Sequence, residues 1–145
     1  MTSALPLAPI LLPFGVGLLC LLPMRRHLKA GLALLGTLLM FLLSLLLVRA
    51  TADGTVLVSE LGGWKAPFGI VMTADRLSAY MSALASISAI FAVWFMVAAE
   101  DRVREKHHAF ALTMFLFTGV QLSFLTGDLF NLFVAFEVML VASYA

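Results

Sequence analysis

The chain has 145 residues, 63% of them hydrophobic and 12% charged, with a mean hydropathy of +1.08. Soluble domains carry about 25% charged residues, so this chain has too little charge to coat a water-facing globule. Its net charge of +1 gives no electrostatic footprint for nucleic acid, and its single cysteine, Cys20, excludes a disulfide framework and a cysteine metal site within the chain.

The apolar residues fall in long blocks, as a bilayer core roughly 30 Å thick requires of segments of about 20 residues. The predicted fold class is all-α: a polytopic transmembrane bundle of about five spans, with a short extracytoplasmic β-hairpin between spans two and three. The first span covers residues 5–22. No basic region precedes it, and Arg25 and Arg26 follow it, so it reads as a retained helix rather than a signal peptide. Pro6, Pro9 and Pro13 crowd its start, and Pro13 points to a kink or a late helix start.

The second span covers residues 28–48 and is dense in leucine. A longer polar stretch follows. Asp53-Gly54 is a turn signal, Thr55 to Ser59 alternates and is β-branched, and Phe68 to Met72 reads as a returning strand, giving a hairpin over about 55–72. The third span covers residues 73–99, and a charged connector runs from Glu100 to His108. The fourth span covers residues 109–125, and Thr126-Gly127-Asp128 makes a tight turn. The fifth begins at Leu129 and is still apolar at Ala145, so the chain is expected to be the front part of a longer membrane protein.

Basic residues are enriched in cytoplasmic loops. Arg25, Arg26, Lys29, Arg102, Arg104 and Lys106 cluster on one predicted side, against only Arg49, Lys65 and Arg76 on the other. This places the N-terminus and the hairpin outside and the Glu100–His108 connector inside. Labelling of a cysteine at position 60 from the cytoplasm would overturn that orientation.

Most charges read as solvated flanks. Asp75 and Asp128 sit at helix starts, where a carboxylate caps free N–H groups; each is also a candidate for a secondary proton or ion path. His107 and His108 lie at a membrane edge. As adjacent residues they point to different helix faces, which argues against a shared metal site and leaves proton handling as their candidate role. Gln121 and the serines at 82, 86 and 88 are expected to hydrogen-bond between helices.

Glu137 differs from all of these. It lies about 12 Å along the fifth span from Leu129, near the middle of the hydrocarbon. Its neighbours are Phe133, Val134, Phe136, Met139, Leu140 and Val141. A carboxylate at that depth costs at least several kcal/mol unless it is paired, hydrated or protonated. Its charge state therefore depends on its surroundings, which suits a proton carrier; the bland alternative is a protonated side chain making one interhelical hydrogen bond. No span offers a basic residue at that depth, so a partner is expected beyond residue 145 or on another subunit. No phosphate loop, nucleotide fingerprint, nucleophile–histidine–acid set or H-E-x-x-H helix competes, and neither cofactor nor metal is expected.

Two stretches carry a family resemblance. Leu61-Gly62-Gly63-Trp64-Lys65-Ala66-Pro67-Phe68-Gly69-Ile70 resembles the outer hairpin of the D subunit of Mrp-type multisubunit cation/proton antiporters. The run from Leu125 to Tyr144, with Thr126-Gly127-Asp128 and Phe136-Glu137-Val138-Met139, is similar to the fifth helix of that subunit. The resemblance extends along the chain but covers about the front third of such a subunit. It implies a fourteen-helix fold with two inverted five-helix repeats, related to the antiporter-like subunits of respiratory complex I. It also implies that Glu137 is the fifth-helix glutamate, which in the family pairs with a lysine on the seventh helix and takes part in proton translocation. The chain contains no such later lysine.

The leading expectation is a non-enzymatic, proton-translocating subunit of a sodium/proton antiporter. It would be multi-pass in the bacterial cell membrane, in contact with lipid, protons, Na+ and other subunits of a hetero-oligomeric complex. An antiporter-like subunit of complex I or a membrane hydrogenase is the alternative. A small dimeric drug/proton exporter and a purely structural membrane segment are further readings.

Overall fold

The computed structural model describes residues 4–63, 69–99 and 108–144. Within them the chain is mostly helical. A 3-10 turn at Leu5–Leu7 leads into α1 (Ala8–Leu21). There follow α2 (Arg26–Ala50), β1 (Leu57–Glu60), a 3-10 turn at Leu61–Gly63, β2 (Val71–Ala74), α3 (Arg76–Ala98), α4 (Ala109–Leu125) and α5 (Leu129–Tyr144).

Local chemistry sets these limits. Pro9 occupies the first turn of α1, where a missing N–H costs little, but Pro13 lies inside the helix, so the helix neither starts late nor breaks there. Arg25 takes extended geometry two residues after Pro23 and opens α2. At the other end of α2 the Thr51 hydroxyl donates to the Leu47 carbonyl at 2.9 Å, and Gly54 turns the chain with φ +81°. β1 and β2 pair antiparallel, from Leu57 opposite Ala74 to Glu60 opposite Val71.

The predicted strands and third span need correction here. The strands start two and three residues later than the alternation suggests, and end one and two residues later. Val71–Ala74 belongs to the sheet, so α3 starts at Arg76 rather than residue 73. The reason is the Asp75 cap: the Asp75 carboxylate accepts from the Ser78 N–H at 2.7 Å, while the Ser78 hydroxyl accepts from the Asp75 N–H at 2.9 Å. This reciprocal capping box fixes the start of α3.

The helices pack α1 on α2 and α4, α3 on α2 and α4, and α4 on α5. The α2–α3 pair is tied at both ends: Arg76 donates to the Ala52 carbonyl, and Arg26 donates to the Val97 carbonyl at 3.4 Å. Cys20 is buried, packed with Ala30 and Ala33 of α2.

The burial pattern is inverted relative to a water-soluble bundle. Ser44, Ser82, Ser86 and Gln121 have no exposed surface, whereas Leu35, Leu42, Phe91 and Trp94 are 54–65% exposed. In water the leucines would drive inward and the serines outward. In a bilayer no hydrophobic force separates leucine from lipid, and small and polar side chains collect between helices. α2 and α3, at 25 and 23 residues, are long and apolar enough to cross a membrane; the helical segments Leu5–Leu21, Ala109–Leu125 and Leu129–Tyr144 are shorter.

Candidate functional site

α5 begins under tight control. The Asp128 carboxylate accepts the Asn131 N–H through Oδ1 at 2.6 Å, capping the helix. Its Oδ2 accepts the Val71 N–H of β2 at 3.3 Å. Asn131 and Ala135 are the buried residues of α5, and they face α4 and the hairpin. Gly119 of α4 makes this approach possible: a Cβ there would lie 2.6 Å from Met139 Cγ and 2.9 Å from the Ala135 carbonyl oxygen.

Glu137 lies between Ala135 and Met139 but nearly opposite them around the helix, because two residues advance about 200°. It is exposed on the chain's surface, and among the described residues nothing donates to it or pairs with it. It borders an apolar groove of about 380 Å³ lined by Phe14 of α1, Leu112 and Phe115 of α4, and Val134, Val138 and Val141 of α5. Around it on α5, Phe133, Phe136, Leu140, Val141 and Tyr144 also face outward. A carboxyl on this face has no partner among the described residues.

The other polar groups behave differently. Gln121 Nε2 donates to the Ser82 carbonyl at 3.1 Å and to Ser86 Oγ at 3.0 Å, while its Oε1 accepts from Ser82 Oγ at 2.5 Å. Ser44 of α2 completes the cluster, 2.8 Å from Ser82 Oγ and 3.0 Å from Ser86 Oγ. No buried side-chain polar atom among the described residues lacks a partner. Four residues were expected to hydrogen-bond between helices here, and three do. Gln121, Ser82 and Ser86 join helices α2, α3 and α4, whereas Ser88 is exposed and bonds only to the Leu84 carbonyl of its own helix. Ser44 was missed; its signal was a lone serine inside a leucine run. Asn131 and Gly119 were also missed, the first because it sits among phenylalanines and the second because glycine gives no positive signal inside a helix.

The remaining candidates scatter. Asp75 is exposed, and the N–H and hydroxyl of Ser78 hold its carboxyl below the usual aspartate range. It lines an open groove of about 430 Å³ with Thr73, Ser78, Ser123 and Thr126, at the hairpin end of the bundle. His108 is exposed at the start of α4 with φ 54°, and makes no side-chain cap. His107 and the rest of the charged connector lie outside the described residues, as do Trp64 to Phe68 of the hairpin motif. The structure therefore does not bring Asp75, Asp128, His108 and Glu137 into one cluster. No group of three or more metal-ligating side chains occurs among the described residues.

No protein-family model matches the chain. Individual relatives do. It is 43% identical to the D subunit of the Na(+)/H(+) antiporter of Alkalihalophilus pseudofirmus over 97% of its own length and 29% of that protein's. It is 45% identical to the D subunit of a probable K(+)/H(+) antiporter of Rhizobium meliloti over 94% of its own length and 26% of that protein's. The chain is a relative of the N-terminal part of Mrp-type antiporter D subunits. A solved Mrp complex from Dietzia sp. DQ12-45-1b agrees, with TM-score 0.84 and 28% identity over 97% of this chain and 26% of the matched one. A membrane-bound sulfane sulfur reductase, an archaeal respiratory complex, shares the fold at TM-score 0.80 and 24% identity, over 97% of this chain and 28% of that one. The chain thus spans under a third of the length of the proteins it matches, and its inverted burial fits a membrane setting.

Proposed function

We propose that this Mrp D-type chain is the proton-handling N-terminal portion of a monovalent cation (Na+)/proton antiporter component, with Glu137 as the proton carrier or gate. The observation that carries the reading is the contrast in satisfaction: every buried polar side chain among the described residues is partnered, while Glu137 alone presents a carboxyl to an apolar face with none. An unpaired carboxylate facing hydrocarbon is costly, so it persists where something outside this chain, or a proton, compensates it. In the proposed complex a basic residue beyond residue 145, or on a neighbouring subunit, does so, and making or breaking that pair holds or releases the proton.

Five spans, with the N-terminus and hairpin outside, complete the arrangement. The clustered basic residues on the other side support that orientation. Asp75, in its open polar groove, is the candidate carboxylate for ion access at the hairpin end; His107 and His108 would serve at the opposite face. Asp128 has both oxygens engaged and acts as a cap. The names of the relatives, antiporter subunits, support partner subunits and a transporter rather than an enzyme; the setting we propose is the bacterial cell membrane.

The test is Glu137→Gln in the full complex, assayed for Na+-driven collapse of a pH gradient in inverted vesicles. Exchange should be lost with assembly intact. Full exchange would sink the proposal.

A further inference from the structure

The β-hairpin does more than join α2 to α3. The turn at Thr126–Asp128 lies against β2 as a third, incomplete strand: Met72 bridges Thr126 in antiparallel fashion, and the Gly127 N–H donates to the Val71 carbonyl at 2.7 Å. The Thr73 hydroxyl donates to the Thr126 carbonyl at 3.4 Å. Asn131, in the first turn of α5, reaches back with Nδ2 to Thr126 Oγ1 at 3.0 Å and Met72 Sδ at 3.5 Å. Asp128 is the joint between the two systems, since one oxygen caps α5 and the other receives the β2 backbone. Glycine is needed at 127, where a Cβ would lie 2.7 Å from Thr73 Cγ2 and 3.1 Å from the Val71 carbonyl oxygen.

A helix held at its first turn can neither slide along its axis nor rotate without breaking those bonds. Glu137 is nine residues after Asp128, a rise of about 13.5 Å along one uninterrupted helix. Farther along, the Gly119 notch against Ala135 and Met139 limits lateral movement but, being apolar packing, offers less resistance to sliding. The axial stop is at the hairpin.

We propose that the β-hairpin is a positioning device for Glu137: through Asp128 and the Thr126–Gly127 edge it fixes the axial register of α5 and so the depth of the carboxyl in the membrane. Asp128 is a positioning residue, not a proton carrier. The functional half of this inference rests on the role proposed for Glu137; the geometric half does not.

Asp128→Asn separates the two jobs of this side chain. Asparagine is as good a helix cap as aspartate. With its single oxygen on the Asn131 N–H, its Nδ2 would face the Val71 N–H, donor against donor, and the link to the hairpin would fail. Two readouts in the full-length complex decide the matter. The first is the depth of a spin label on Glu137→Cys, from its relative accessibility to oxygen and to a water-soluble nickel chelate, with and without Asp128→Asn. The depth should shift by about one residue's rise, 1.5 Å, or more. The second is maximal exchange per assembled complex with Glu137 intact, which should fall by about tenfold to 100-fold while half-saturation by Na+ stays unchanged, since a displacement of about 1 Å at a reacting group can cost about 100-fold.

An unchanged label depth overturns the proposal, and so does a shifted depth with ordinary exchange. If Asp128→Asn fails to assemble, Gly127→Ala makes the same test by pushing β2 off the turn without touching the carboxylate. Normal exchange in Glu137→Gln would remove the proton role, yet label depth would still decide whether the hairpin sets the register.

Discussion

The α2–α3–α4 interior and the outer face of α5 treat polar groups in opposite ways. In the first, Ser44, Ser82, Ser86 and Gln121 sit at zero exposure and satisfy one another across three helices. In the second, Glu137 stands exposed among phenylalanines with no partner among the described residues. The difference is whether the chain completes the hydrogen bonds itself. A completed network fixes how helices sit. An incomplete one leaves room for an outside partner, and the proton role proposed for Glu137 rests on that opening.

Substitutions should divide along that line. Gln121→Leu removes three hydrogen bonds and leaves serine hydroxyls unsatisfied, so it should cost roughly 2–3 kcal/mol of helix-packing stability. The cost would be read as reduced complex yield and a lower melting temperature in detergent, with exchange per surviving complex unchanged. A loss of exchange at full yield would give this network a transport role and blur the comparison. Gly119→Ala places a methyl within 2.9 Å of the Ala135 carbonyl oxygen and should cost about 1–3 kcal/mol by overpacking. Because it presses on the residues flanking Glu137, it should lower stability and exchange together.

Asp75→Ala should have the smallest effect, about 1 kcal/mol from the lost capping box. Its pH dependence has a definite sign. The folded carboxyl titrates below the ordinary aspartate value of about 3.9, so its contribution is present above that pH and is lost as pH falls through the lowered folded value. Thermal melts at neutral pH should therefore separate wild type from Asp75→Ala, and melts in strong acid should bring them together.

The sequence made the helical blocks legible because apolar runs of this length have few other uses. It made Glu137 legible because a carboxylate in such a run is expensive. The strand register was less legible: Val71–Ala74 is apolar enough to read as helix, and only the reciprocal bonds between Asp75 and Ser78 show where the helix must start. The double duty of Asp128 was hidden altogether. A helix-start aspartate announces a cap, but its second oxygen meets Val71, 57 positions away, and no local pattern encodes that contact. Gly119 was silent for the same reason, since its meaning lies in the backbone of another helix.

In the proposed function the unpartnered carboxyl, and not the satisfied network, carries the proton. The most direct measurement is the exchange rate per assembled complex of Glu137→Gln in inverted vesicles, with complex content measured on the same membranes. Assembly should be normal and the rate at least about 100-fold below wild type, the scale of losing a positioned proton-transfer group. A wild-type rate at normal assembly would contradict it.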